Sequence, residues 1–73
     1  MLSTMMNRIL QYRNLFIQIR ERQRRLVFLR KMIGQLEEIG QPIDNPKKNL
    51  LNLMLEIKNL QNRIRQLQLQ KRA

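Results

Sequence analysis

The side chains with the clearest chemical potential in this 73-residue chain are its arginines, the densest group of which is the run Arg20–Arg25 (RERQRR). A guanidinium group is planar, always charged and able to donate paired hydrogen bonds to phosphate or carboxylate oxygens. Fifteen Lys and Arg against five Asp and Glu give a net charge of +10, which indicates a polyanionic partner or an anionic surface. The same run can also be read as a solvated helix face, because Arg is a good helix former that covers apolar surface with its stem.

Two residue types that carry much of protein chemistry, Cys and His, do not occur in the chain. Thiol nucleophiles, imidazole bases, disulfides and the usual zinc sites are therefore excluded. We predict that the protein is not an enzyme and that it uses no metal or cofactor.

Two long helices joined by one turn are the organisation that the sequence predicts, within a single domain of this length. Three of the four Gly and Pro residues fall between Gly40 and Pro46. We predict an all-α chain with helix 1 from about residue 3 to 39, a turn over 40–45 and helix 2 from about 46 to 70. Gly40 supplies the left-handed position after helix 1, Asn45 caps helix 2 and Pro46 is its first helical residue.

Apolar residues in both helices follow the heptad rhythm of a coiled coil. In helix 2 the seam is Leu50, Leu53, Ile57, Leu60, Ile64 and Leu67. In helix 1 it is Leu2, Met5, Ile9, Tyr12, Phe16 and Ile19, then a polar interruption, then Leu26, Leu29, Ile33 and Leu36. The seam of helix 1 is therefore predicted to slip by one stammer over Arg20–Arg25.

If the two helices fold back on each other, residues whose numbers sum to about 86 are predicted to face each other. This register pairs Leu36 with Leu50 and Leu26 with Leu60, and it sets Arg30 beside Glu56 and Glu38 beside Lys48. The apolar seam, the turn and the pairing of opposite charges then all predict an antiparallel two-helix hairpin.

Helix 1 is predicted to be the longer helix, so that residues 1 to about 14 extend beyond helix 2 with apolar side chains uncovered. We expect a second copy to cover them, giving a homodimer that forms a four-helix bundle. A different protein or a membrane surface are the alternatives. The predicted protein-interface residues are Leu2, Met5, Met6, Ile9, Tyr12 and Phe16.

A band of guanidinium groups is predicted where the register brings the end of helix 2 beside the arginine run of helix 1. The predicted nucleic-acid-binding residues are Arg20, Arg22, Arg24, Arg25, Arg63 and Arg65, with Lys47 and Lys48 as outliers near the turn. The chain contains only one Tyr and two Phe, so it has few aromatic side chains on which the bases of a single strand could stack. A duplex or structured RNA is therefore a more suitable ligand than a single strand.

The segment Arg20–Arg25 resembles the arginine-rich helix of lentiviral Rev proteins, which bind structured RNA from a helical hairpin. In Rev that segment lies in the second helix, after a proline-rich loop, whereas here it lies in the first. The segment from Ile9 to Phe16 is similar to part of the mitochondrial LYR signature, but Gln11 replaces its leucine and two helices are too few for that three-helix fold. Neither resemblance identifies a family.

No run of apolar residues is long enough for a transmembrane helix. The first twenty residues contain Arg, Ser and Thr but no acid, which is the composition of a mitochondrial transit peptide, although the same periodic pattern continues beyond them. We expect an intracellular protein, with the cytoplasm favoured and mitochondria as the alternative.

Two functions remain open from the sequence. The first is a small basic, non-enzymatic hairpin that binds duplex or structured nucleic acid, RNA in particular, through its arginines. The alternative is a protein-assembly subunit or chaperone that binds a protein partner, which could be acidic, through the apolar start of helix 1.

Overall fold

Two helices packed against each other form the whole fold, as a computed structural model shows. Helix α1 spans Leu2–Glu38 and helix α2 spans Asp44–Arg72. The structure describes the backbone of residues 2–72 and the side chains of residues 3–69. The hairpin is a rod of 58 × 17 × 13 Å, in which the long dimension is set by the length of α1 at about 1.5 Å per residue. The predicted all-α helical hairpin is confirmed.

The turn between the helices is fixed by the backbone at both of its ends. Gly40 has φ of 72°, and the amide of Gln41 donates to the carbonyl of Leu36 while that of Gly40 donates to Glu37. This pattern of two bonds satisfies the last carbonyls of α1 and confirms the predicted role of Gly40.

The start of α2 differs from the prediction, because the carbonyl of Ile43 accepts the first helical bond from the amide of Lys47 at 2.9 Å. Asp44 is therefore the first helical residue, and the prediction that Asn45 caps the helix is wrong. Pro46 is the third residue of α2 and not, as predicted, the first. It still lies within the first turn, where its missing N–H has no partner to lose.

The seam of α1 runs without interruption, so the predicted stammer is wrong. The residues that are buried or half-buried at heptad spacing are Tyr12, Leu15, Ile19, Arg22, Leu26, Leu29, Ile33 and Leu36. Leu15 takes the place predicted for Phe16, and Arg22 occupies a seam position in the polar stretch. A long side chain can fill such a position with its aliphatic stem, which sequence periodicity based on apolar residues cannot detect.

The seam of α2 is confirmed from Leu50 to Leu67, and half-buried Ile43 and Pro46 extend it toward the turn. Leu15, Ile19 and Leu60 form one buried cluster, against which Ile57, Ile64 and Leu67 pack, and Arg22 pairs with Glu56. These contacts fit a register in which the numbers of facing residues sum to about 79. The predicted value of 86 is wrong by one heptad. That prediction placed Ile43 in the turn and Pro46 at the start of helix 2 and counted neither in the seam, although both side chains are half-buried and form its last two layers.

The predicted charge pairs fail for the same reason. Among residues 3–69, one ion pair has a nitrogen–oxygen distance below 4 Å, and it joins Arg22 to Glu56. Arg30 does not pair with Glu56, and Glu38 does not pair with Lys48.

The core is small for the amount of apolar surface that the chain carries. Among residues 3–69, the buried apolar side chains are Leu15, Ile19, Ile33 and Leu60, while thirteen large apolar side chains are exposed. The register places Arg72 beside Asn7, so α1 extends beyond α2 over residues 2–6 rather than 1–14.

Candidate nucleic-acid interface

The heptad register assigns the exposed residues of the hairpin to two broad faces and to the outer edge of each helix. One face collects six exposed cations from both helices, and we call it the basic face. Its cations are Arg13, Arg20, Arg30, Lys47, Lys58 and Arg65. The acidic residues on this face are Glu37 and Asp44, which both lie close to the turn.

The opposite face, which we call the amide face, carries no net charge. Its charged residues are Arg25, Arg63, Glu21 and Glu56, two of each sign. Asn and Gln fill most of the rest at Asn7, Gln11, Asn14, Gln18, Gln35, Asn49, Asn52, Asn59 and Gln66. The positive charge of the hairpin is therefore concentrated on one side, where an anion would experience the strongest attraction.

An open groove of about 820 Å³ runs along the basic face between the two helices. Arg13, Arg20 and Arg65 lie on its walls together with Phe16. The other lining residues are three glutamines and three isoleucines: Gln23, Gln61, Gln68, Ile17, Ile19 and Ile64. We call it the arginine groove. The ring of Phe16 is 57% exposed, which leaves an apolar surface open to solvent between charged groups.

The predicted arginine band does not lie on one surface. Arg20, Arg65 and Lys47 lie on the basic face, Arg25 and Arg63 on the amide face, and Arg24 and Lys48 on the outer edges of their helices. A hexad in sequence turns through more than one full helical turn, so its members point in all directions.

Arg22 is used within the hairpin. Its Nε donates to Oε2 of Glu56 at 2.9 Å, and its Nη1 donates to the carbonyl of Gln18 at 3.1 Å. With the guanidinium group occupied across the seam, Arg22 is the member of the predicted set least available to a ligand.

Arg30 and Lys58 belong to the basic face although the sequence reasoning did not select them. Neither lies in the arginine run Arg20–Arg25, and their heptad positions would have placed them beside Arg13, Arg20 and Arg65. A count of cations by heptad position would have found them, whereas a search for charge runs could not.

The predicted protein-interface residues do not lie on one surface. Met5, Met6 and Ile9 are exposed at the start of α1, and Phe16 is exposed in the arginine groove. Tyr12 is half-buried in the seam, and the side chain of Leu2 lies outside the described residues.

No protein-family model matches the chain, and neither the curated proteins nor the solved structures contain a match. Over residues 2–72, neither helix is long and apolar enough to cross a bilayer. The function is therefore inferred from the surface described above.

Proposed function

We propose that the protein binds duplex or structured nucleic acid, RNA in particular, through the basic face of the hairpin. The observation that supports this most is the separation of charge: six exposed cations lie on one face, and the opposite face is neutral. A polyanion gains from every cation that it meets on such a face, because each neutralised phosphate releases counterions.

The cations of the basic face are spread along the rod instead of clustered at one point. The register puts Arg13 level with Arg65 and Arg20 level with Lys58, about 10 Å apart at 1.5 Å per residue. Arg30 and Lys47 continue the row toward the turn, to a total of about 26 Å. An extended row suits a phosphate backbone better than it suits a small anion.

The test is binding of an RNA hairpin, followed by fluorescence anisotropy, to two triple variants with equal net charge. The first variant combines Arg13→Gln, Arg20→Gln and Arg65→Gln on the basic face. The control combines Arg24→Gln, Arg25→Gln and Arg63→Gln elsewhere on the hairpin. Each lowers the net charge from +10 to +7, so a difference between them reports position and not total charge.

We expect the basic-face variant to lose at least tenfold in affinity and the control to lose several times less. The slope of log K against log salt should also become shallower by about 0.7–0.9 for each phosphate contact removed. Equal losses in the two variants would show that the charge acts without a defined face. Binding to anionic lipid vesicles with no binding to RNA would contradict the proposal.

A second copy of the chain is the proposed cover for the exposed apolar side chains at the start of α1. Met5, Met6, Ile9 and Leu10 are all more than half exposed, and a core of four buried side chains is small for a stable chain of this size. Packing two hairpins through this surface would give the four-helix bundle expected from the sequence.

Mass measurement by light scattering tests the dimer with a matched pair of variants. Met6→Gln with Leu10→Gln should shift the mass from dimer toward monomer. Leu51→Gln with Leu55→Gln also replaces two large apolar side chains by Gln, at equally exposed positions on α2, and should leave the mass unchanged. A dimer that survives the first pair would place the contact elsewhere.

The exposed apolar side chains at the start of α1 also support a second candidate function, as an assembly subunit or chaperone that binds a protein partner. Met is flexible and packs against varied shapes, and two Met side chains lie exposed at the start of α1. A chain that remains monomeric, ignores RNA at low salt and forms a salt-resistant complex with a purified protein partner would favour this candidate over nucleic-acid binding.

A further inference from the structure

The arginine groove combines three kinds of side chain that a nucleotide requires. Arg13, Arg20 and Arg65 are cations for phosphate oxygens, and the half-exposed ring of Phe16 offers a stacking surface. Gln23, Gln61 and Gln68 each carry an amide that donates and accepts hydrogen bonds. Proteins that recognise an unpaired RNA base stack it on an aromatic or guanidinium plane and bind its edge through polar groups.

Two other grooves of the hairpin lack one part of this set. The groove on the amide face contains Gln11, Asn14, Gln18, Arg63 and Gln66, but no aromatic side chain. The groove nearer the turn contains Arg24, Arg25 and Phe28 with two leucines, but no amide side chain. The combination of cations, ring and amides is therefore a property of the arginine groove and not of grooves in this hairpin generally.

The groove offers a stacking surface for one base. Its volume of about 820 Å³ can hold a nucleotide, while the single aromatic side chain on its walls can stack one base. Of the remaining cations of the basic face, Lys58 lies level with Arg20 at the edge of the groove. Arg30 and Lys47 lie beyond the groove toward the turn, where a neighbouring paired region would follow.

We propose that the arginine groove binds a single unpaired nucleotide of a structured RNA, such as a one-nucleotide bulge, with its base against Phe16. This inference rests on the proposed function and makes the substrate more specific. Such a groove would let a basic face with one aromatic ring select among RNAs, since phosphate contacts carry no direct sequence information.

The experiment compares three RNA hairpins of equal length: one fully paired, one with a single bulged nucleotide, and one in which the bulged position lacks its base. Base stacking on an aromatic side chain is a substantial contribution to affinity, so the bulged RNA should bind at least tenfold more tightly than the other two. A fluorescent purine analogue at the bulge should be quenched when the protein binds, which reports stacking directly.

Phe16→Leu is the matching protein variant, and Phe28→Leu is its control. Phe16→Leu should lower affinity for the bulged RNA to that for the paired RNA, leaving paired RNA binding and helicity unchanged. Phe28→Leu makes the same change in the groove nearer the turn and should leave the preference intact.

The outcomes separate the two proposals. Salt-sensitive binding with equal affinity for all three RNAs would overturn the nucleotide groove while the proposed function stands. Absence of binding to any of them at low salt would overturn the proposed function itself.

Discussion

Arg22 provides the sharpest test of the seam, because it is a charged residue at a position where every neighbour in the heptad is apolar or aromatic. Replacing it by Leu removes the ion pair with Glu56 and completes an apolar seam. The two effects have opposite signs, so their sizes decide the result.

The gain is estimated from burial. Fully burying a Leu side chain contributes roughly 1.5–3 kcal/mol, and the side chain of Arg22 is 26% exposed, so a leucine there should contribute about 1–2 kcal/mol. The loss is smaller, since the Glu56 side chain is 53% exposed and partly exposed ion pairs contribute about 0.2–1 kcal/mol. We expect Arg22→Leu to stabilise the hairpin by about 1 kcal/mol, which raises Tm by roughly 4–8 °C in a domain of this size.

Thermal unfolding followed by circular dichroism measures this change at fixed protein concentration. Glu56→Gln is one control, because it removes the ion pair without filling the seam and should lower Tm slightly. Arg24→Leu is the other, because it makes the same substitution on the outer edge of α1 and should leave Tm almost unchanged. If Arg22→Leu lowers Tm, Arg22 does not lie in an apolar seam and the uninterrupted heptad register is wrong.

The remaining predictions concern the backbone and the core, each with a matched pair of variants measured by urea unfolding. Gly34 lies within α1 with open space where a Cβ would lie, so Gly34→Ala should stabilise by about 0.5–1 kcal/mol. Gly40 has a positive φ, so Gly40→Ala should destabilise by about 1 kcal/mol, and a stabilising effect would refute the left-handed turn. Leu60→Ala should cost about 2–5 kcal/mol because the side chain is buried. Leu51→Ala should change stability by less than about 0.5 kcal/mol because that side chain is 60% exposed, and similar costs at both sites would contradict the assigned seam.

The helices and the turn could be predicted from the sequence because their signals are local. Gly40 ends α1 through its own backbone conformation, and the spacing from Leu50 to Leu67 identifies the seam of α2 by itself. The register between the helices is not a local property. It depended on whether Ile43 and Pro46 belong to the seam, and the half-burial of these two side chains, which shows that they do, is a property of the folded hairpin.

The candidate site could be predicted only in part for a related reason. A run of arginines in sequence was an incomplete guide, since Arg22 turns into the seam and Arg25 onto the amide face. Arg30 and Lys58, which lie outside that run, join the basic face through the heptad register. The functional surface follows from the face on which each cation lies, and that face is known only once the seam is known.

The central claim is that RNA contacts the basic face and not the amide face. Heteronuclear NMR of nitrogen-labelled protein, titrated with the bulged RNA hairpin, tests it most directly because the guanidinium Nε–Hε signals report individual arginines. We expect the signals of Arg13, Arg20 and Arg65 to shift on binding while those of Arg25 and Arg63 stay in place. Equal shifts on both faces, or shifts confined to Arg25 and Arg63, would contradict the account.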